Sequence, residues 1–147
     1  MRKIVEKSNL RNKKILLRLD LNVPLKNGKI TDTTRIDKII PTLKFLINQN
    51  SKIIILSHVG RPKGKFDNKL SLKPICKNIE KKINQNIKLI TKNVKEITNQ
   101  NLFDNINEKI IMLENIRFYN EEEKNNHEFA GHLASLADIY VNDAFSC

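Results

Sequence analysis

Asp20, Asn22, Arg35, His58, Arg61 and Arg117 are the residues of this chain whose types and positions could do chemistry together. Asp20 and Asn22 form an Asp-x-Asn pair, and His58 and Arg61 share the stretch SHVGR. Guanidinium groups bind phosphate and carboxylate through paired N–H donors, so three arginines beside a histidine suit a small ligand with several negative groups. A carboxylate at Asp20 cannot meet those groups favourably, but it can accept from a ligand hydroxyl, while Asn22 can donate or accept. The ligand implied is a small, hydroxylated, phosphorylated acid.

Each residue also has a plainer use. Asp20 and Asn22 suit a turn in which their side chains bond their own backbone. His58 suits a hydrogen-bonded strand end. Arg117 stands just before a run of glutamates and can pair with Glu121 or Glu122 on the surface, a contact worth ~0 to 1 kcal/mol. Arg35 is harder to explain in this way. It falls in the first turn of a predicted helix, where a cation opposes the helix dipole, so its position calls for a compensating anion.

The elements that must position these residues are short. Five apolar or β-branched runs read as strands: ILLRLDLN from Ile15, KIIILS from Lys52, IKLI from Ile87, KIIMLEN from Lys109 and DIYVNDAF from Asp138. Between them the period becomes helical. Ile36, Ile39, Ile40, Leu43, Leu46 and Ile47 line one face after a TDTT cap, with Pro41 expected to bend the helix or loosen a turn. Leu72, Ile75, Cys76, Ile79 and Ile83 line a second, where Pro74 falls harmlessly in the first turn. Phe129, Ala130, Leu133, Ala134 and Ala137 line a third, and the polar segment 91–107 offers at most a short helix. Strands separated by such helices predict right-handed crossovers and an α/β fold, three layers with a parallel sheet covered on both faces. In such sheets ligands bind beyond the carboxyl ends of the strands, where Asp20, Asn22, His58, Arg61 and Arg117 fall, with Arg35 at the start of the helix that follows the first strand.

Composition narrows the partners. The 147 residues match one domain. Cys76 and Cys147 make neither a disulfide framework nor a metal site, and the start of the chain lacks a signal-peptide pattern, so a cytosolic (cytoplasmic) protein is expected. No apolar run approaches the ~20 residues of a membrane span. The net charge of +11 raises nucleic acid as a partner, but only six of the 27 basic residues are arginine, the lysines are dispersed, and there is no Trp and only two Tyr for base stacking. Solvated lysines are the preferred reading. GRPKGK is no P-loop: three residues separate Gly60 from Gly64 where four are required, and Phe66 stands where Ser or Thr belongs.

The stretches RLDLNVPLKNGKITDTTRI, SHVGRPKG, LSLKP, MLENIRFYNEEEKN and LASLADIYVNDAF follow the order and spacing of phosphoglycerate kinase. The whole chain resembles the N-terminal lobe of that family. The resemblance implies a Rossmann-like lobe holding 3-phosphoglycerate or 1,3-bisphosphoglycerate, with strand order 3-4-2-1-5-6, and a second lobe holding Mg2+ with ADP or ATP. It implies reversible phosphoryl transfer from the acyl phosphate to ADP in glycolysis by a monomeric enzyme. Carried over by position, Asp20 and Asn22 resemble the contacts to the glycerate hydroxyl and carboxyl region. Arg35 resembles the catalytic arginine near the transferring phosphoryl group, and His58, Arg61 and Arg117 resemble the 3-phosphate cluster.

The expectation is a partial phosphoglycerate-binding domain over residues 1–147, with the nucleotide domain absent, no metal or cofactor bound by this chain, and no turnover of its own. The family's sixth strand, hinge and further phosphate-contacting arginine would lie beyond NDAFSC, leaving the fifth strand as an open edge. Two alternatives stay open: a stand-alone basic module that binds anions or nucleic acid, and an interaction role for the open edge strand.

Overall fold

The computed structural model describes the chain apart from residues 1–10, 27–28, 61–63, 65, 104–107, 120–126 and 143–147, and apart from the side chain of Arg117. Five parallel strands form the central sheet: β1 (Lys14–Arg18), β4 (Lys52–Leu56), β5 (Lys88–Ile90), β6 (Ile110–Leu113) and β7 (Ile139–Asn142), in the order β5-β6-β4-β1-β7. A small antiparallel pair, β2 (Leu25–Lys26) with β3 (Lys29–Ile30), stands apart from it. The helices are α1 (Thr34–Asn48), α2 (Lys73–Ile83) and α3 (His127–Ser135). All five predicted strands are present, and their order is the one the resemblance implied.

The sheet alternates its side chains between two cores, which is what period two requires of a strand covered on both faces. Ile15, Leu17, Ile53, Ile55, Ile110 and Met112 point to one side, where Ile36, Ile39, Leu43 and Leu46 of α1 and Ile75, Cys76 and Ile79 of α2 cover them. Leu16, Ile54, Ile111 and Leu113 point to the other, against Val94, Ile97, Leu102, Phe129 and Leu133. Burial pushes the Cys76 thiol up to about 12.

Local chemistry agrees with these boundaries. Thr33 is the N-cap of α1 and makes no side-chain cap bond; instead Asp32 Oδ1, one residue ahead, accepts from the Thr34 hydroxyl and amide, and those bonds hold the Asp32 carboxyl below its usual value. α1 continues through the exposed Pro41 as one helix from Thr34 to Asn48. α2 has Pro74 in its first turn and ends on Asn84 in the left-handed region at φ 56°. Within 91–107 the described helical piece is a single 3-10 turn, Val94–Glu96.

The third helix departs from expectation. Phe129 and Leu133 are buried, but Ala130 and Ala134 are exposed. The helical period does not continue past Ser135, because the chain turns there with the Leu136 amide donating to Leu133 O, and Leu136 drops onto the sheet in place of a further helical position.

Candidate functional site

Because the five strands are parallel, their carboxyl ends share one edge, and the loops leaving β1, β4 and β6 meet there. The loops are joined by buried hydrogen bonds. Ser57 Oγ, at the end of β4, donates to Leu19 O (2.7 Å) and accepts from the Leu21 amide (3.1 Å), so the loop after β1 is fixed to its neighbour on both sides of Asp20. The Ile116 amide donates to Ser57 O at 3.1 Å, which brings the turn after β6 against the same residue.

On this frame Asp20, Asn22 and Arg35 come together. Arg35, the second residue of α1, donates from Nη1 to Asp20 Oδ1 and to the Asn22 carbonyl, both at 3.0 Å. The anion that its helix position called for is thus supplied from within the chain. Asp20 Oδ1 also takes the Asn22 amide at 3.3 Å, so the turn role foreseen for the pair is real and coexists with the ion pair. The Arg35 side chain is 46% exposed and that of Asp20 20%, so their attraction is screened and contributes orientation more than stability.

Asn22 reaches further. Its Oδ1 accepts the Gly60 amide at 2.9 Å, linking the loop after β1 to the loop after β4. Gly60 has φ +65°, which favours glycine, and a Cβ there would lie 2.6 Å from Leu70 Cδ2 and displace that side chain. His58 stands half-buried in the same loop, two residues before it. Arg117 belongs to the 3-10 turn Ile116–Phe118 on this edge. Arg61, like Glu121 and Glu122, lies outside the described residues.

Ser57, Glu114 and Asn115 hold the edge together and were not among the predicted site residues. Their place directly after the apolar runs IIIL and IIML was the available signal, and in the structure all three are buried, where a polar side chain must find partners. The hairpin β2–β3 was also missed, although Asn27-Gly28 between Lys26 and Lys29 is the usual signature of a tight hairpin turn. Among the described residues no group of three or more His, Cys, Asp or Glu is arranged to hold a metal ion, and no helix is long and apolar enough to cross a membrane.

Comparison with known proteins bears on the same region. The family profile described as Phosphoglycerate kinase matches residues 5–147. A phosphoglycerate kinase of Wolbachia sp. subsp. Brugia malayi (strain TRS) is 46% identical over 147 residues, covering 97% of this chain and 36% of the relative. The structure of phosphoglycerate kinase from Coxiella burnetii superposes with a TM-score of 0.83 at 40% identity, covering 97% of this chain and 35% of that one. Phosphoglycerate kinase from Pyrococcus horikoshii OT3 gives 0.81 at 28% identity, with coverage of 96% and 36%. This chain therefore spans about a third of the length of those relatives, corresponds to their N-terminal region, and belongs to the phosphoglycerate kinase family.

Proposed function

We propose that this chain supplies the phosphoglycerate-binding part of a phosphoglycerate kinase, which moves a phosphoryl group reversibly between 1,3-bisphosphoglycerate and ADP to give 3-phosphoglycerate and ATP in the cytoplasm. The observation that carries the reading is the joined set Asp20, Asn22, Arg35 and Gly60 at the carboxyl edge, with His58 in the same loop. In this proposal Asp20 accepts from the glycerate hydroxyl and Asn22 meets the carboxyl region. His58, Arg61 and Arg117 hold the 3-phosphate.

Arg35 is the catalytic residue of the proposal. Phosphoryl transfer asks the protein mainly for positioning and charge neutralisation, because the moving group carries its charge on peripheral oxygens. Two contacts from Nη1 fix the plane of the guanidinium, and its other N–H groups are those assigned to the ligand. Mg2+ with ADP or ATP supplies the phosphoryl acceptor or donor and neutralises its charge. The proposal assigns the nucleotide and its metal to the length of the relatives that this chain does not span.

Calorimetric or NMR titration of the chain with 3-phosphoglycerate, ATP and a short DNA tests the reading. Each charge-assisted hydrogen bond contributes ~1.5 to 3 kcal/mol before desolvation and ordering costs, so weak, selective binding of 3-phosphoglycerate is expected. Salt-sensitive DNA binding with no response to phosphoglycerate would favour the basic-module alternative instead.

A further inference from the structure

Glu114 and Asn115, which follow β6, are buried polar residues outside the proposed ligand contacts. A carboxylate taken out of water needs several donors, and Glu114 has them. Its Oε1 accepts the Leu72 amide at 2.7 Å and the Asn115 amide at 2.9 Å, and its Oε2 accepts the Ser71 hydroxyl at 2.7 Å. It thus sits at the N-terminal end of α2, on the N-cap Leu72 and the residue before it, where the helix dipole favours an anion. Asn115 is 0% exposed, and its Nδ2 donates to Val59 O at 2.8 Å and Leu70 O at 2.9 Å.

These bonds converge on one loop. Val59 precedes Gly60, and Leu70 is the residue against which Gly60 is packed without room for a Cβ. The Phe118 ring adds a third tie, meeting Phe66 edge-on with centroids 5.1 Å apart. Removing the Asn115 amide leaves the Val59 and Leu70 carbonyls without this donor and frees both residues to move, and Gly60, directly bonded to Val59, with them.

We propose that Asn115, seated by Glu114, is a positioning residue that sets the conformation of the His58–Gly60 loop and, through it, the hold on phosphoglycerate. The second half rests on the phosphoglycerate reading given above; the first does not. Neither side chain is assigned any contact with the ligand.

The test compares Asn115→Ala with Ser51→Ala, which removes a different buried hydrogen bond, from Ser51 Oγ to Leu46 O at 2.7 Å, before the opposite end of β4. In ligand-free protein, Asn115→Ala should move the amide resonances of His58, Val59 and Gly60 and speed their exchange, leaving those of α1 and α3 in place; Ser51→Ala should not. With 3-phosphoglycerate, Asn115→Ala should weaken binding at least about tenfold, the effect of leaving the buried Val59 carbonyl unpaired, while Ser51→Ala keeps wild-type affinity at a comparable loss of melting temperature. Glu114→Gln, which keeps an acceptor for the Leu72 amide, gives the same pattern more weakly and serves if Asn115→Ala does not fold. Unmoved loop resonances, or equal affinity losses in Asn115→Ala and Ser51→Ala, overturn the proposal. A wild-type protein that ignores phosphoglycerate while Asn115→Ala still disturbs Gly60 refutes the ligand reading and leaves the loop assignment standing.

Discussion

Arg35 sits in the first turn of α1, where a cation opposes the helix dipole, and two acceptors from the loop after β1 hold it there. Such a side chain is oriented before any ligand arrives, so little reorganisation is needed as charge develops on a transferring group. That argument separates binding from turnover. In a full-length enzyme of this family carrying these residues, Arg35→Ala should lower kcat by ~10³-fold or more while changing the KM for 3-phosphoglycerate far less. Steady-state kinetics decide it. A raised KM with kcat preserved would place Arg35 in ground-state binding. At this scale the sequence revealed Arg35 through an electrostatic misfit, but it could not reveal that Asp20 resolves the misfit, because the two lie fifteen residues apart and meet only through the sheet. Ser57 and Asn115 were hidden for a related reason, since their side-chain partners belong to loops distant in sequence, the one after β1 for Ser57 and the one after β4 for Asn115.

Elements were easier to read where one physical signal dominated. After Lys52 the run Ile53–Leu56 is apolar and buried on both faces, and a central parallel strand of this length asks for that. The face Ile36, Ile39, Leu43 and Leu46 was equally plain because charged residues occupy the opposite side of α1. Alanine carries no such signal. Ala130 and Ala134 fit the period of α3 but are exposed, whereas Leu136 is buried by a turn that periodicity cannot foresee. Pro41 marks a second limit, since packing keeps α1 intact through a residue that lacks an amide donor and crowds the Asp37 carbonyl one turn earlier. Its ring is exposed and protects no core contact. Pro41→Ala should therefore stabilise the protein by about 1 to 3 kcal/mol, less whatever chain entropy the proline removes from the unfolded state. Urea unfolding measures this, and a loss of stability would mean that the ring, not the missing donor, matters to α1.

For the whole molecule the consequential feature is the order of the strands. With β5-β6-β4-β1-β7, the strand β7 is paired with β1 and lies at one margin of the described sheet, and its Tyr140 is 50% exposed. An open strand edge is a template for pairing with another chain, and a large aromatic beside it adds apolar area to gain. The net charge of +11 acts against such contact between identical chains, and salt screens that repulsion. These two terms give opposite salt responses for opposite kinds of partner. Binding of nucleic acid by a basic surface weakens as salt rises, because counterions are no longer released at a profit in entropy. Self-association through β7 should strengthen. Sedimentation velocity of the 147-residue chain across a salt series should show a growing associated fraction, and Tyr140→Lys, which places a charge on the margin strand, should suppress it at every salt concentration. Association that falls with salt, or that Tyr140→Lys leaves untouched, would locate the contact elsewhere on the surface and remove the strand edge from the account.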